Sequence, residues 1–438
     1  MPPRRSHKKS KAGCQRCKNR KIKCDEVHPA CGNCLKHGVP CDFEGPITPS
    51  ATTPSFARQD TTESSSHASS MSTPRTTASA IIPFYQQPQA LIRAQQNPAA
   101  SRSLELKLMH HFTARTCLTF SDTLEQSTAW QVDIPTIAYD AQYLMDAILA
   151  VSALHLRVMH PDDQNLIRAS HSYMASALAQ YSSLLNQGVS EFNSEALFST
   201  SALIAFQASA SRLFDEDGPY QLPLAWFHSF QGVKAVVMAS WQWLRTSDKI
   251  YPIINSQPAL FLDLDPERKL FFAPLLDGLE EYLETFPESI RAETKQAYVH
   301  AVAFLNWAHR RPARNRILGF AATVSRRFVD LMAQHDPRTL VIASCFFALT
   351  KMVDGVWWLQ GIAKREVNGI YSLLPPEWRP KMEWSLRIVN HEGIMDEETW
   401  GGSLDEFFDV KKEENNVHEH IDLLARIMNE CNPPLPPD

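Results

Sequence analysis

From Leu104 to about Met428 apolar residues return every three or four positions, whereas the hundred residues before them carry no such period. Leu104, Leu108 and Phe112 keep this spacing, as do Leu144, Ile148, Val151, Leu154 and Val158, and again Phe320, Val324, Phe328 and Leu331. An interval near 3.6 residues puts each set on one face of a helix, which must meet another apolar face to leave water. The pattern predicts a large all-α domain over residues 104–430, made of roughly ten or more helices. His335-Asp336-Pro337 and Pro375-Pro376 read as helix ends, and Asn368-Gly369 reads as a turn interrupting the stretch from Leu340 to Leu373.

Residues 45–103 are rich in Ser, Thr, Pro, Ala and Gln and poor in charge. Such a segment buries too little apolar surface to offset the entropy of ordering, so it reads as a flexible linker. Its one apolar knot, Ile81 to Tyr85, contains Pro83 and forms no heptad, so a homodimer would have to assemble through the helical domain. No run reaches the roughly eighteen apolar residues of a bilayer span, and Leu340–Leu349 is about half of that, so no membrane span and a soluble chain are expected.

Charge divides the chain again. Of 438 residues carrying −5 overall, the first 45 hold eleven Lys/Arg against four Asp/Glu, or +7, which leaves −12 on the remainder. A cationic module on an acidic protein is suited to an acidic partner. Within it, Cys14, Cys17, Cys24, Cys31, Cys34 and Cys41 follow C-x2-C-x6-C-x6-C-x2-C-x6-C, two halves of identical internal spacing. Thiolates are soft ligands and four complete a tetrahedral zinc site, so six serve two ions only when two sulfurs bridge both metals. Three disulfides in a secreted module are the competing reading. The basic segment ahead of the cluster is no apolar leader, and Cys117, Cys345 and Cys431 are scattered, so a reducing compartment fits better. A segment so short of apolar residues should fold only with its metal.

The cysteine pattern resembles the fungal binuclear zinc-cluster transcription factors. The resemblance covers roughly the first 45 residues and implies a small fold of two short helices over residues 14–44, preceded by a basic arm at 1–13. It implies that Cys14 and Cys31 bridge two zinc ions, one completed by Cys17 and Cys24 and the other by Cys34 and Cys41, with Pro29 in the loop between the halves. It also implies that Lys21, four residues beyond the second cysteine, reads a CGG-type triplet in the major groove of double-stranded DNA. Arg20 stands beside it, and either side chain can donate to guanine O6 and N7. Arg16, Lys18 and Lys23 complete a cationic face for phosphates, which supplies affinity without sequence choice. The arm residues Arg4, Arg5, Lys8, Lys9 and Lys11 suit either backbone contact or nuclear import, and the nucleus is the expected compartment.

Leu104–Thr113 and Leu144–Leu156, with Trp357-Trp358-Leu359, Trp378 and Trp384, resemble the C-terminal domain of regulators related to the sterol uptake control proteins. That likeness implies an all-helical regulatory and dimerising unit that responds to an apolar small-molecule effector, for control of sterol or secondary-metabolite genes. Phe346, Phe347, Met352, Trp357 and Trp358 form the richest aromatic and thioether concentration and are the candidate ligand pocket, although core packing accounts for them as well. A small-molecule sensor whose DNA contact is secondary is the alternative function. His110-His111 and His418-Glu419-His420 lack further ligands at helical spacing and read as surface or capping residues. Asp396–Trp400 and Leu404–Val410 alternate acidic and bulky apolar residues, the composition of a segment that binds a coactivator, or else of a surface loop packed back on the domain. With 15 glycines, no phosphate-cradling loop, no nucleophile elbow and no H-E-x-x-H, the chain offers nothing for catalysis. Neither the linker nor the helical region interleaves aromatic and basic residues as single-stranded RNA binding requires.

Overall fold

Asp336 starts the most deeply buried helix among the described residues, and the reason is local. Its carboxylate accepts from the Thr339 backbone N–H at 2.8 Å and from the Thr339 hydroxyl at 2.7 Å, while Pro337 presets the first helical φ. Such a cap contributes about 1 kcal/mol. The Tyr298 and Tyr282 hydroxyls donate to the same carboxylate, at 2.8 and 2.5 Å, so the cap also ties down the helices around it. Every residue from Arg338 to Leu349 is buried, which converts the most apolar run of the sequence into the middle of the core.

The computed structural model describes residues 98–402 except 216, 217, 259, 261 and 266. In the cysteine-rich segment it describes Cys14, Cys17, Lys18, Ile22, Cys24, Asp25, Glu26, Cys31, Asn33, Cys34 and Cys41. The basic arm, the linker, Pro29, Leu404–Val410 and His418-Glu419-His420 lie outside the described residues. The chain divides into two units, Met1–Ala80 and Ile81–Asp438.

In the second unit the described helices of eight residues or more are α1 (Pro98–His111), α2 (Gln142–Met159), α3 (Gln164–Gln187), α4 (Ser194–Ser211), α5 (Leu224–Leu244) and α6 (Glu288–Arg310). They continue with α7 (Arg314–Thr323), α8 (Arg326–Ala333), α9 (Pro337–Leu349), α10 (Ile362–Leu373) and α11 (Glu383–Asn390). Shorter turns connect them, no strand occurs among the described residues, and no described helix is long and apolar enough to cross a membrane. α2 packs along α3, α4 along α5, and α9 lies against α6, α10 and α11. The centre is aromatic: Phe320 stacks on Phe346 at 4.7 Å, and Phe227 and Trp226 meet Phe346 and Phe347 edge-on at 5.6 to 6.3 Å. Each such pair adds about 0.5–1.5 kcal/mol to the burial of its area.

Two helix boundaries differ from expectation. Phe320, Val324, Phe328 and Leu331 are all buried but belong to two helices, because Val324 is extended and the Ser325 hydroxyl accepts from Phe328 N–H at 3.2 Å to begin α8. The stretch from Leu340 to Leu373 is interrupted between Thr350 and Gly361, where Gly361 has φ +78°, and not at Asn368-Gly369, which lies inside α10. Gly369 is required there for another reason. A Cβ at this position would come within 2.1 Å of the Tyr220 ring. The bare backbone lets Tyr220 lie across the helix and donate to Glu366 at 2.7 Å. Glu366, fully buried, also accepts two bonds from Arg212, at 2.8 and 3.0 Å, which joins the end of α4 to α10.

Candidate metal centre and regulatory cavity

In the first unit the Cys17 and Cys34 N–H groups point at the sulfurs three residues earlier, Cys14 at 3.5 Å and Cys31 at 3.4 Å. Each half thus begins with the same helical turn, as the repeated C-x2-C spacing demands. The Lys18 and Ile22 N–H groups extend the first turn onto the Cys14 and Cys17 carbonyls at 3.1 Å. The turn buries its sulfurs while Lys18 and Ile22 remain exposed.

The six Sγ atoms form two sets of four, Cys14/Cys17/Cys24/Cys31 and Cys14/Cys31/Cys34/Cys41, each within 4.8 Å, so Cys14 and Cys31 belong to both. Sulfurs stand 3.8 Å apart for Cys14–Cys31 and Cys14–Cys34 and 3.6 Å apart for Cys17–Cys31. A disulfide needs about 2.05 Å, whereas the edge of a zinc–thiolate tetrahedron with about 2.3 Å bonds is about 3.8 Å. The donor set therefore fits zinc and not disulfides, and these cysteines are unbridged. Burial opposes ionisation throughout and pushes Cys17 up to about 12. At Cys31 burial is outweighed by the Cys34 N–H and the neighbouring thiols, and the group falls to about 6. Cys14 is likewise lowered, by the Cys17 N–H and neighbouring thiols acting against burial. Five buried sulfurs and a half-buried Cys41 gathered at this distance call for cationic charge among them once deprotonated. Arg16, Arg20, Lys21 and Lys23 lie outside the described residues.

The helical unit contains a cavity of about 240 Å³. Phe120 and Phe206, stacked at 4.1 Å, form one wall with Trp130 and Trp358, and Val237 and Trp307 close other sides. Arg314 stands at its rim, held by the Asp122 carboxylate and by the Thr119 and Ser121 carbonyls at 2.8 and 2.9 Å. Of the five residues expected to form a pocket, Trp358 alone is among this cavity's lining. Phe346 and Phe347 are fully buried in the aromatic core, and Met352 is half-buried against it. Trp357 stacks on His155 at 4.4 Å and donates to the Thr119 hydroxyl at 3.1 Å. Phe120, Trp130 and Phe206 carried no signal in the sequence, since they come from separate elements and only tertiary packing brings their rings together.

One further expectation is refined and one open alternative is decided. His111 is half-buried and not simply exposed: its Nε2 is 3.3 Å from His155 Nδ1, and partial burial among cationic neighbours lowers its pKa. Trp400 packs back on the domain, the second of the two readings its segment allowed. It is fully buried, stacks on His309 at 4.6 Å, and its carbonyl accepts from Trp384 Nε1 at 3.0 Å and from His309 Nε2 at 3.1 Å.

Residues 12–50 match the fungal Zn(2)-Cys(6) binuclear cluster domain, and residues 107–214 match the fungal specific transcription factor domain. A sterol uptake control protein 2 of Candida albicans is 25% identical over 60% of this chain and 39% of its own length. The Zn(2)-C6 fungal-type transcription factor afumD of Aspergillus fumigatus is 28% identical over 77% of this chain and 84% of its own. A Zn(2)-C6 fungal-type transcription factor of Gibberella zeae is 44% identical over 100% of this chain and 97% of its own. Because that last likeness runs from end to end, the chain belongs to the Zn(2)-C6 fungal-type transcription factors, non-enzymatic regulators that bind two zinc ions and, through the domain these shape, DNA.

Proposed function

We propose that the protein works in the nucleus as a sequence-specific regulator that reads CGG-type triplets, with Cys14 and Cys31 bridging the two zinc ions. Cys17 and Cys24 complete one site, and Cys34 and Cys41 complete the other. The observation that carries this reading is the membership of Cys14 and Cys31 in both sets of four sulfurs. Lys21 and Arg20 supply the base contacts, while Arg16, Lys18 and Lys23 supply phosphate contacts. Selection of bound sequences from a random duplex library, with the full-length protein and with or without a chelator, tests it. Enrichment of CGG triplets that chelation abolishes is the expected result. Paired triplets at fixed separation would support a homodimer assembled through the helical domain, and absence of any enriched site would sink the base-reading role.

A second reading concerns the helical domain, as a sensor that passes effector occupancy to transcription and its coactivators. Its support is the aromatic cavity. Benzene fills a cavity of about 150 Å³, so 240 Å³ suits an apolar body on the order of ten carbons, and a four-ring sterol would require the walls to part. Sterol and secondary-metabolite genes are the target classes in view.

A further inference from the structure

The aromatic cavity is bordered by polar groups that the fold itself leaves unbonded. Trp130 and Thr323, 2% and 5% exposed, both line it, and neither the Trp130 indole N–H nor the Thr323 hydroxyl has a hydrogen-bond partner among the described residues. The neighbouring indole behaves differently: Trp358, in the same wall, donates through Nε1 to the Thr119 carbonyl at 3.3 Å. Gln257, half-buried at the cavity's border, likewise has a side-chain amide with no partner among the described residues. Buried polar groups are nearly always paired, so the open Trp130 and Thr323 groups mark where a bound molecule's polar atom belongs.

Resting on the sensor reading of the helical domain, we infer that the cavity takes a neutral ring compound of about ten carbons with a carbonyl or hydroxyl oxygen, in place of a sterol. An indole N–H can only donate, so the ligand must bring an acceptor. The Thr323 hydroxyl and the Gln257 amide can serve that oxygen as donors or acceptors. Charge is already met within the protein. Arg314 and Asp122 pair with each other at the rim, and Lys234, which also lines the cavity, is engaged. An ammonium or a carboxylate would therefore give up its water without meeting an unpaired opposite charge. Phe120 stacks on Phe206, and the Trp130 and Trp358 indoles stand edge-on to Phe206 at 5.7 and 4.9 Å, so a flat apolar body finds ring faces and edges to pack against. A neutral oxygen is what separates a fitting ligand from an apolar body of equal size, because the wrong molecule leaves the site's donors unmet.

Calorimetric titration of the full-length protein with probes built on one bicyclic skeleton tests the ligand class: tetralin has no polar atom, tetralone has a ketone, and the corresponding carboxylate has a charge. Tetralone should bind at least about tenfold more tightly than tetralin or the carboxylate. Thr323→Val, of nearly the same shape, and Trp130→Phe should each bring the affinities of tetralone and tetralin to within about threefold of each other, while tetralin still binds and so reports an intact cavity. Equal affinities of tetralone and tetralin in the parent, or a preference that persists in both variants, would overturn the neutral-oxygen class and leave the sensor reading standing. Tighter binding of the carboxylate, or displacement of tetralone by an equal concentration of ergosterol, would overturn that class in the same way. Failure of all these probes to bind, or binding that Ala205→Leu leaves unchanged, would overturn the sensor reading itself and the inference with it.

Discussion

At the scale of single residues, the two cysteines common to both sulfur sets are distinguishable from the other four by experiment. Cys17→Ser removes one ligand from one proposed site, whereas Cys14→Ser removes a ligand from both. Zinc measured by mass spectrometry of the native full-length protein should fall from two ions toward none in Cys14→Ser and retain more metal in Cys17→Ser. Equal losses would mean that the sets do not share Cys14. Lys21→Ala should lower affinity for a selected triplet site by about tenfold to a hundredfold, since a bidentate guanine contact is worth about 1–3 kcal/mol. Binding to scrambled duplex should change far less, and parallel losses on both duplexes would reduce Lys21 to a phosphate contact.

The helices answer to different physics. α10 is held by a buried ionic joint and by a glycine that yields its space to a ring. Gly369→Ala puts a methyl group where Tyr220 lies, and overpacking of this kind costs about 1–3 kcal/mol. The urea midpoint should fall with the slope unchanged. Tyr220→Phe, which leaves the buried Glu366 short of one donor, should cost about 1–3 kcal/mol by the same measurement. An unchanged midpoint in Gly369→Ala would mean that Tyr220 swings out freely. The sequence could not have assigned these roles, because a glycine after asparagine carries the same local signal whether it turns the chain or clears a path for a ring.

For the molecule as a whole, buried histidines make stability depend on pH. Burial pushes His309 and His155 down to about 4, below the value near 6.5 of the unfolded chain. Between those limits the unfolded state takes up protons that the native state refuses, so stability falls as pH drops from about 6.5 toward 4 and is fully present above 6.5. The urea midpoint at pH 5 should therefore lie below that at pH 7, and His309→Gln should flatten the difference. A midpoint that rises on acidification would contradict the burial of these rings. Ala205, in the wall of the aromatic cavity, tests occupancy at the same scale. Ala205→Leu should reduce any effector response and leave zinc-dependent DNA binding intact, while an unaltered response would place the effector elsewhere.

The zinc module was legible in the sequence because its ligands lie close along the chain, so their spacing is nearly the geometry. The two C-x2-C turns lie within one short stretch of chain, and the sulfurs of the first reach Cys31 of the second at 3.8 Å from Cys14 and 3.6 Å from Cys17. The all-α class was legible too, since amphipathic periodicity is local, and capping by Asp336 marked one break. Tertiary structure alone decided which apolar residues would be core and which would face a cavity. Phe346 and Phe347 are as hydrophobic as Phe120 and Phe206, and only the crossing of helices separates a ring that meets other rings from one that meets a void. It also decided that Trp400 packs back on the domain and that Trp130 and Thr323, far apart in the chain, line one cavity. Those outcomes rest on contacts between residues far apart in the chain, whose closure no local pattern records.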